Sequence, residues 1–325
     1  MDLSVIIVNW NTKDLLCQCL DSLNQVAKKV EMEIFVVDNG SMDGSGEAIR
    51  ERFPGVKLVE NQINLGFAKA NNQALRLAKG KYVLLLNPDT QIKGMAIEEM
   101  ISLMSAHPEV GVVGGQLLNS DGSKQNSIAN FPSLATELLN KSILRRLFPE
   151  KFPGKEKSYL GPIEVDSVIG ACMMVRLEAI EQVGLLDEDY FLFLEETDWC
   201  YRMKKGSLKI YHIPQAEIFH SQGRSAEKNK EKAKIEYYRS RYHFFRKNRG
   251  RFQWTILHIG LLIRLGIELI FASVAGIFTF FTLKKWRRKF STYAYLVWWH
   301  LRFCPKGMGL KPIDNPLFPP FAKGG

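Results

Sequence analysis

The stretch Tyr82–Ile92, YVLLLNPDTQI, drives five apolar residues straight into Asn87, Pro88 and Asp89. Proline has no N–H for a continuing ladder, so a strand should end there. Asn87 and Asp89 would then stand at a strand's carboxyl end, where open α/β sheets bind ligands. Asn, Pro and Asp also suit an ordinary turn, so this stretch alone leaves both readings open. Three earlier apolar runs end alike: Asn9 and Asn11 close the first, Asp38, Asn39 and Asp43 the second, Asn61 and Asn64 the third. Four such endings in succession point to a shared ligand rather than to turn chemistry. Asp38 could accept from a pyrimidine N3–H, an acceptor-only task suited to a carboxylate. Asp89 is a hard oxygen ligand for Mg²⁺ or Mn²⁺ bridging diphosphate oxygens; without a cation the diphosphate would meet it as a like charge. The expected ligand is a nucleotide diphosphate.

A second cluster lies in LEETDWCYR, which holds Glu195, Glu196, Asp198 and Arg202. Adjacent carboxylates can raise one another's pKa and so supply a base near neutral pH. A helix start also draws acidic residues through its dipole, which gives a structural alternative. Asp198 faces away from Glu196 on a helix and can pair with Arg202 four positions on. His220 closes the apolar run IPQAEIFH, and Arg224 follows as a possible diphosphate contact.

These residues need a frame. LSVIIVNW, MEIFVVD, VKLVEN, KYVLLLN and VGVVGG are near-continuously apolar, as strands buried on both faces are. Between the first two, Thr12 could cap a helix whose Leu16, Cys19, Leu20, Leu23 and Ala27 share one face. GFAKANNQALRLAKG and GMAIEEMISLMSAHP add further helices, expected to stop at Gly80 and Pro108. Strand–helix alternation predicts an α/β fold with a mostly parallel sheet covered on both faces. From 116 to 165 the pattern loosens into polar, Pro- and Gly-containing stretches that suit an acceptor-side cover. NWNTKD after the first strand is neither G-x-G-x-x-G nor a P-loop, which disfavours a Rossmann oxidoreductase. Five scattered cysteines without a C-x-x-C suggest reduced thiols and a cytosolic catalytic part. The opening MDLSVIIVNWN lacks the basic start of a signal peptide.

VIIVNWN, VVDNGSMDGS, NLGFAKANNQAL, LLLNPDT, GACMMVRLEAI, DEDYFLFLEETDWCYR and IPQAEIFH together resemble the inverting family 2 glycosyltransferases of GT-A fold. Within them the likeness is nearest to bacterial rhamnosyltransferase-type enzymes, and it covers about residues 1–225. It implies a GT-A, Rossmann-like domain over 1–225, with a nucleotide-binding half (1–115) and an acceptor and catalytic half (116–225). It puts Asp38 and Asp43 at base and ribose, and Asn87-Pro88-Asp89 in place of the family's D-x-D, with Asn87 a departure from a carboxylate. By the same resemblance Glu196 is the base that deprotonates the acceptor hydroxyl, and His220 completes the metal site with Asp89. The implied reaction moves a sugar, L-rhamnose the leading candidate, from a dTDP- or UDP-sugar to a lipid-linked saccharide in cell-surface glycan synthesis.

Residues 226–325 form a basic, aromatic tail. Residues 200–325 carry 25 Lys and Arg against 6 Asp and Glu, a balance of +19, which leaves −9 for 1–199. Such asymmetry fits a polyanionic partner, here the anionic cytoplasmic leaflet rather than nucleic acid. Residues 252–283 are apolar except for Arg264 and Glu268, with strongly basic flanks. Two flanks that both prefer the cytosol argue for a re-entrant or interfacial helical pair rather than one span, with Arg264 and Glu268 pairing at i, i+4. STYAYLVWWHLRF adds an aromatic stretch suited to headgroup level, and the terminal NPLFPPFAKGG is expected to lack structure. The expected location is the cytoplasmic face of a bacterial membrane. The rivals are a sugar-nucleotide pyrophosphorylase, which would want a basic Gly-rich loop after strand one, and a non-enzymatic membrane-binding module.

Overall fold

A computed structural model describes residues 1–26, 30–153, 157–221, 230–305 and 308–310. Ala27, Arg224 and the terminal NPLFPPFAKGG lie outside them.

The chain runs β1 (Leu3–Asn9), α1 (Lys13–Val26), β2 (Met32–Asn39), α2 (Ser45–Arg52), β3 (Lys57–Asn61), α3 (Phe67–Leu75), β4 (Tyr82–Leu86) and β5 (Thr90–Ile92). It continues with α4 (Ala96–Ala106), β6 (Val110–Leu118), β7 (Ile128–Ala129), α5 (Leu134–Leu138), α6 (Lys141–Leu147), β8 (Ile163–Glu164), β9 (Ser167–Val168) and β10 (Cys172–Arg176). Then come α7 (Leu177–Val183), α8 (Glu195–Lys205), β11 (Lys209–His220), α9 (Lys230–Asn248), α10 (Gly250–Phe278) and α11 (Lys284–Leu301). By contact density the chain forms two units. One comprises Met1–Phe131 and Pro153–Ser225, the other Pro132–Phe152 and Ala226–Lys311.

The first unit is an α/β domain built on a mixed, mostly parallel sheet in the order β3-β2-β1-β4-β10-β6-β11-β5, with β8 beside β11. β3, β2, β1 and β4 are mutually parallel, so their carboxyl ends share one edge. β10 is antiparallel and lies between β4 and β6, an antiparallel insertion in a sheet expected to be mostly parallel. Alternation along the strands divides the core. Val5, Ile7, Leu84 and Leu86 pack on one face, Ile6, Val83 and Leu85 on the other. β4 ends at Leu86, directly before Asn87 and Pro88, as the missing proline N–H requires. The Thr12 hydroxyl does not cap α1 but donates to Asn9 Oδ1 at 2.7 Å, while the Lys13 N–H at the helix start donates to Asp43 Oδ2 at 2.9 Å.

The second unit gathers α5, α6 and the three long helices. The helical pair expected within 252–283 is instead one continuous helix, α10, of 29 residues. Its polar interruption is absorbed sideways: the Arg264 guanidinium donates to the Glu137 carbonyl at 3.4 Å, and Glu268 lies beside Tyr293 of α11. Glu137 also pairs through its carboxylate with the buried Arg241 of α9. Leu257, Leu261, Leu265, Ala272 and Gly276 face inward, whereas Ile259, Ile263, Ile267, Ile270, Val274 and Ile277 form an exposed apolar stripe.

Candidate active site

Register assembles the first half of the site. Asn9 of β1 pairs with Asp38 of β2, and the Asn9 amide donates to Asp38 Oδ1 at 2.9 Å. Asp38 is 6% exposed. Burial pushes its carboxyl above the usual range, opposed by hydrogen bonds from Ser41 and Asn9. The backbone N–H of Asn11, a residue held at φ 54°, donates to Ser41 Oγ, and its side-chain oxygen accepts from the Met42 N–H. Asp43 is exposed and accepts from the Lys13 and Ser45 N–H groups.

The other strand-end amides largely satisfy one another. Asn39 donates to Asn64 Oδ1 at 3.0 Å, Asn61 donates to Asn39 Oδ1 at 3.2 Å, and Gln73 of α3 exchanges two bonds with Asn61. Asn64 also accepts from the Gly66 N–H at 2.9 Å. This ladder rigidifies the loop that starts α3.

Beyond β4, the Asn87 N–H donates to the Ala171 carbonyl at 2.9 Å, and its own carbonyl accepts from the Thr90 hydroxyl at 2.7 Å. β5 then pairs antiparallel with the end of β11, setting Thr90 opposite His220. That register puts His220 Nε2 3.4 Å from Asp89 Oδ1, with both side chains largely buried. A carboxylate oxygen and an imidazole nitrogen in this arrangement are a donor set that Mg²⁺ or Mn²⁺ accepts. His220 Nδ1 is held 2.9 Å from Gln125 Oε1. Gln125 lies in SDGSKQNS, where no periodicity or motif marks it in the sequence.

The acidic cluster begins α8. Phe193 and Leu194, immediately before it, adopt φ of 74° and 67°, a conformation that non-glycine residues hold only where their surroundings impose it. The chain leading there is tied to α3. Asn72 donates to the Leu186 carbonyl and to Glu188, each at 2.9 Å, and accepts from the Leu186 N–H. The Phe67 N–H donates to the Phe191 carbonyl at 2.8 Å. A Cβ on Gly66 would come within 2.6 Å of that carbonyl, so this approach requires glycine.

Within the cluster the environments diverge. Glu195 is buried, and its Oε2 has no hydrogen-bond partner among the described residues. Burial, with the neighbouring Glu196 charge second, holds its carboxyl well above the usual value. Glu196 is half-buried and is also pushed upward by burial, against hydrogen bonds at the start of the helix. Its side chain lies against Gly170, next to the Ala171 that accepts from Asn87. Asp198 is fully buried and accepts from Arg202 Nε at 3.0 Å. The same guanidinium donates to the Val183 and Leu185 carbonyls. Trp199 is buried beside them, its Nε1 donating to the Gly184 carbonyl at 2.8 Å.

A strand-end edge with buried carboxylates, joined through residues 170–171 to a half-buried glutamate, agrees with the profile of Glycosyl transferase family 2, which matches residues 4–184. The chain belongs to glycosyl transferase family 2. It is a glycosyltransferase, which sets aside the pyrophosphorylase and the non-enzymatic module. Among relatives, it is 27% identical over 274 residues to the N-acetylglucosaminyl-diphospho-decaprenol L-rhamnosyltransferase of Mycobacterium tuberculosis, covering 78% of this chain and 89% of that one. It is 26% identical over 226 residues to rhamnosyltransferase WbbL of Escherichia coli K12, covering 66% and 82%. In fold it is similar to the mannosyltransferase PcManGT of Pyrobaculum calidifontis, solved with GDP-Man and Mn²⁺ (TM-score 0.55, 16% identity, 92% and 86% covered). GalNAc-T7, solved with UDP, GalNAc and Mn²⁺, shares the fold at a TM-score of 0.51, 17% identity and coverage of 68% and 44%.

Proposed function

We propose that this glycosyltransferase inverts the anomeric centre as it moves L-rhamnose from a dTDP- or UDP-linked donor to a lipid-linked saccharide, at the cytoplasmic face of a bacterial membrane. The observation carrying the mechanism is the contrast between Glu195 and Glu196. Both carboxyls are raised, but only Glu196 keeps solvent access, and it stands beside the strand end that bears Asn87 and Asp89. An inverting displacement needs one base opposite the leaving diphosphate. Glu196 takes the proton from the acceptor hydroxyl as that oxygen attacks the anomeric carbon, and the bond to the diphosphate breaks. Burial keeps the Glu196 pKa high, Glu195 lies beside it as a second, more deeply buried carboxyl, and Asp198 supports the helix through Arg202. Asp38 accepts from the pyrimidine ring, with Asn9 orienting it. Asn11, Asp43 and Asn64 shape the loops around the nucleotide, and Asn87 borders the diphosphate, with Arg224 as a further contact. Asp89 and His220 would hold a divalent cation, which when bound neutralises the diphosphate charge. The rhamnose assignment is supported by two rhamnosyltransferase relatives.

The membrane reading is supported by the second unit. Gly250–Phe278 is, among the described residues, the one helix long and apolar enough to cross a membrane, and only 22% of its most apolar window is buried. The helix is about 43 Å long at 1.5 Å per residue. Crossing a bilayer would put its two basic flanks on opposite sides. Lying along the surface, with the isoleucine stripe down, it keeps both on the anionic leaflet.

Calorimetric titration with dTDP-rhamnose and a panel of UDP-sugars, with Mn²⁺ or with chelator, tests the donor and the metal together. Mn²⁺-dependent binding of dTDP-rhamnose is expected. Tighter binding of another donor overturns the sugar assignment, and binding indifferent to chelator overturns the cation.

A further inference from the structure

The cation site of the proposed function, on which this inference rests, raises a question that its two ligands leave open: which His220 nitrogen carries the hydrogen. We propose that Gln125 is a positioning residue that fixes His220 in the Nδ1–H tautomer, so that an unprotonated Nε2 faces Asp89.

Gln125 is 5% exposed and anchored by its own N–H to the Leu117 carbonyl at 2.8 Å. Its side-chain nitrogen lies 2.6 Å from the His220 carbonyl, 2.8 Å from Asn119 Oδ1 and 3.3 Å from the Leu118 carbonyl. Three oxygens around one position fix the amide's orientation, because an oxygen there would meet three acceptors. Two of the three, the His220 and Leu118 carbonyls, can only accept. Gln125 Oε1 therefore points at His220 Nδ1, 2.9 Å away. An amide oxygen only accepts, so Nδ1 must carry the hydrogen. In the neutral ring this leaves a lone pair on Nε2, facing Asp89 Oδ1 at 3.4 Å. Two acceptors at that distance do not satisfy one another, and a cation satisfies both. An oriented outer-shell partner of this kind typically accounts for about 10–100-fold in metal affinity.

The test uses the full-length, detergent-solubilised protein labelled with ¹⁵N-histidine, kept metal-free at neutral pH. Long-range ¹H–¹⁵N correlation separates the tautomers of the 6 histidines, and His220→Asn identifies the signal. His220 is expected as the Nδ1–H tautomer. In Gln125→Met, of similar length but without an amide, the ring should turn to the Nε2–H tautomer bonded to Asp89, and Mn²⁺ affinity should fall about 10–100-fold. A wild-type ring found as the Nε2–H tautomer or as imidazolium overturns the proposal, even if the variant does not fold. So does a folded variant with an unchanged tautomer or unchanged Mn²⁺ affinity beside a Mn²⁺-binding wild type. An Nδ1–H tautomer that Gln125→Met abolishes sustains the role of Gln125 even if the wild type binds no Mn²⁺, a result that counts only against the cation.

Discussion

Gly170 faces Glu196: a methyl group placed on Gly170 would lie 3.5 Å from both Cβ and Cγ of the glutamate. That is ordinary contact, so Gly170→Ala should be tolerated. Gly170→Leu should displace the carboxylate and lower kcat about 100-fold, the scale on which small misplacements act. Donor affinity should hold. Unchanged turnover in the leucine variant would mean that this side chain sets no reactive geometry.

Glu196→Gln should lower kcat by about 10²–10⁴, the usual contribution of a general base, with little change in donor affinity. Acidification should slow the wild type as the raised Glu196 carboxyl takes up its proton. Steady-state kinetics across pH would count against this base if the variant kept the acidic limb.

Glu195 gives a stability prediction of definite sign. Its folded pKa is raised, so the folded chain holds a proton that the unfolded chain has released above about pH 4.3. The Glu195 contribution to stability should therefore be greatest below that pH. It should decline as pH rises through the folded value and then level off. Glu195→Gln should flatten this decline and raise Tm at pH 8. Thermal melts across pH read both effects, and an equally steep decline in the variant would remove Glu195 as its source.

Arg202→Ala should destabilise the first unit by about 3–5 kcal/mol, because it strips the guanidinium from a fully buried Asp198. Adding Asp198→Asn should restore part of that loss. Denaturant unfolding gives both numbers, and a simple sum of the two single effects would deny the coupling.

The triple variant Ile263→Asp, Ile267→Asp, Ile270→Asp alters only side chains that α10 exposes. Each should weaken binding to anionic vesicles about tenfold or more, given roughly 1.5–3 kcal/mol for burying an isoleucine. Nucleotide binding should be untouched. Full retention on vesicles would leave the stripe without the lipid role proposed for it.

Much of the strand-end edge was legible because proline and strand-end carboxylates act through local rules. Pro88 ended β4 where expected, and Asp89 lies at the edge its position implied. The amide ladder of Asn39, Asn61, Asn64 and Gln73 was not legible, since pairwise satisfaction among asparagines depends on register. Nor was the antiparallel insertion of β10, because CMMVR is as apolar as any parallel neighbour. The unbroken α10 escaped for a related reason. Arg264 has a carbonyl to donate to, contributed by residues more than a hundred positions earlier.

The clasp between α3 and the segment from Leu186 to Phe191 joins residues 114 positions apart in sequence. Its two sides hold the strand-end edge and the start of α8, which bears Glu196, at a fixed spacing, whatever the length of chain between them. Among the described residues, 130–153 and 157–162 contribute no strand to the large sheet. A change in the length of that stretch would leave both ends of the clasp in place. The clasp thus makes the distance between α3 and the start of α8 a property of a few hydrogen bonds rather than of the chain that connects them.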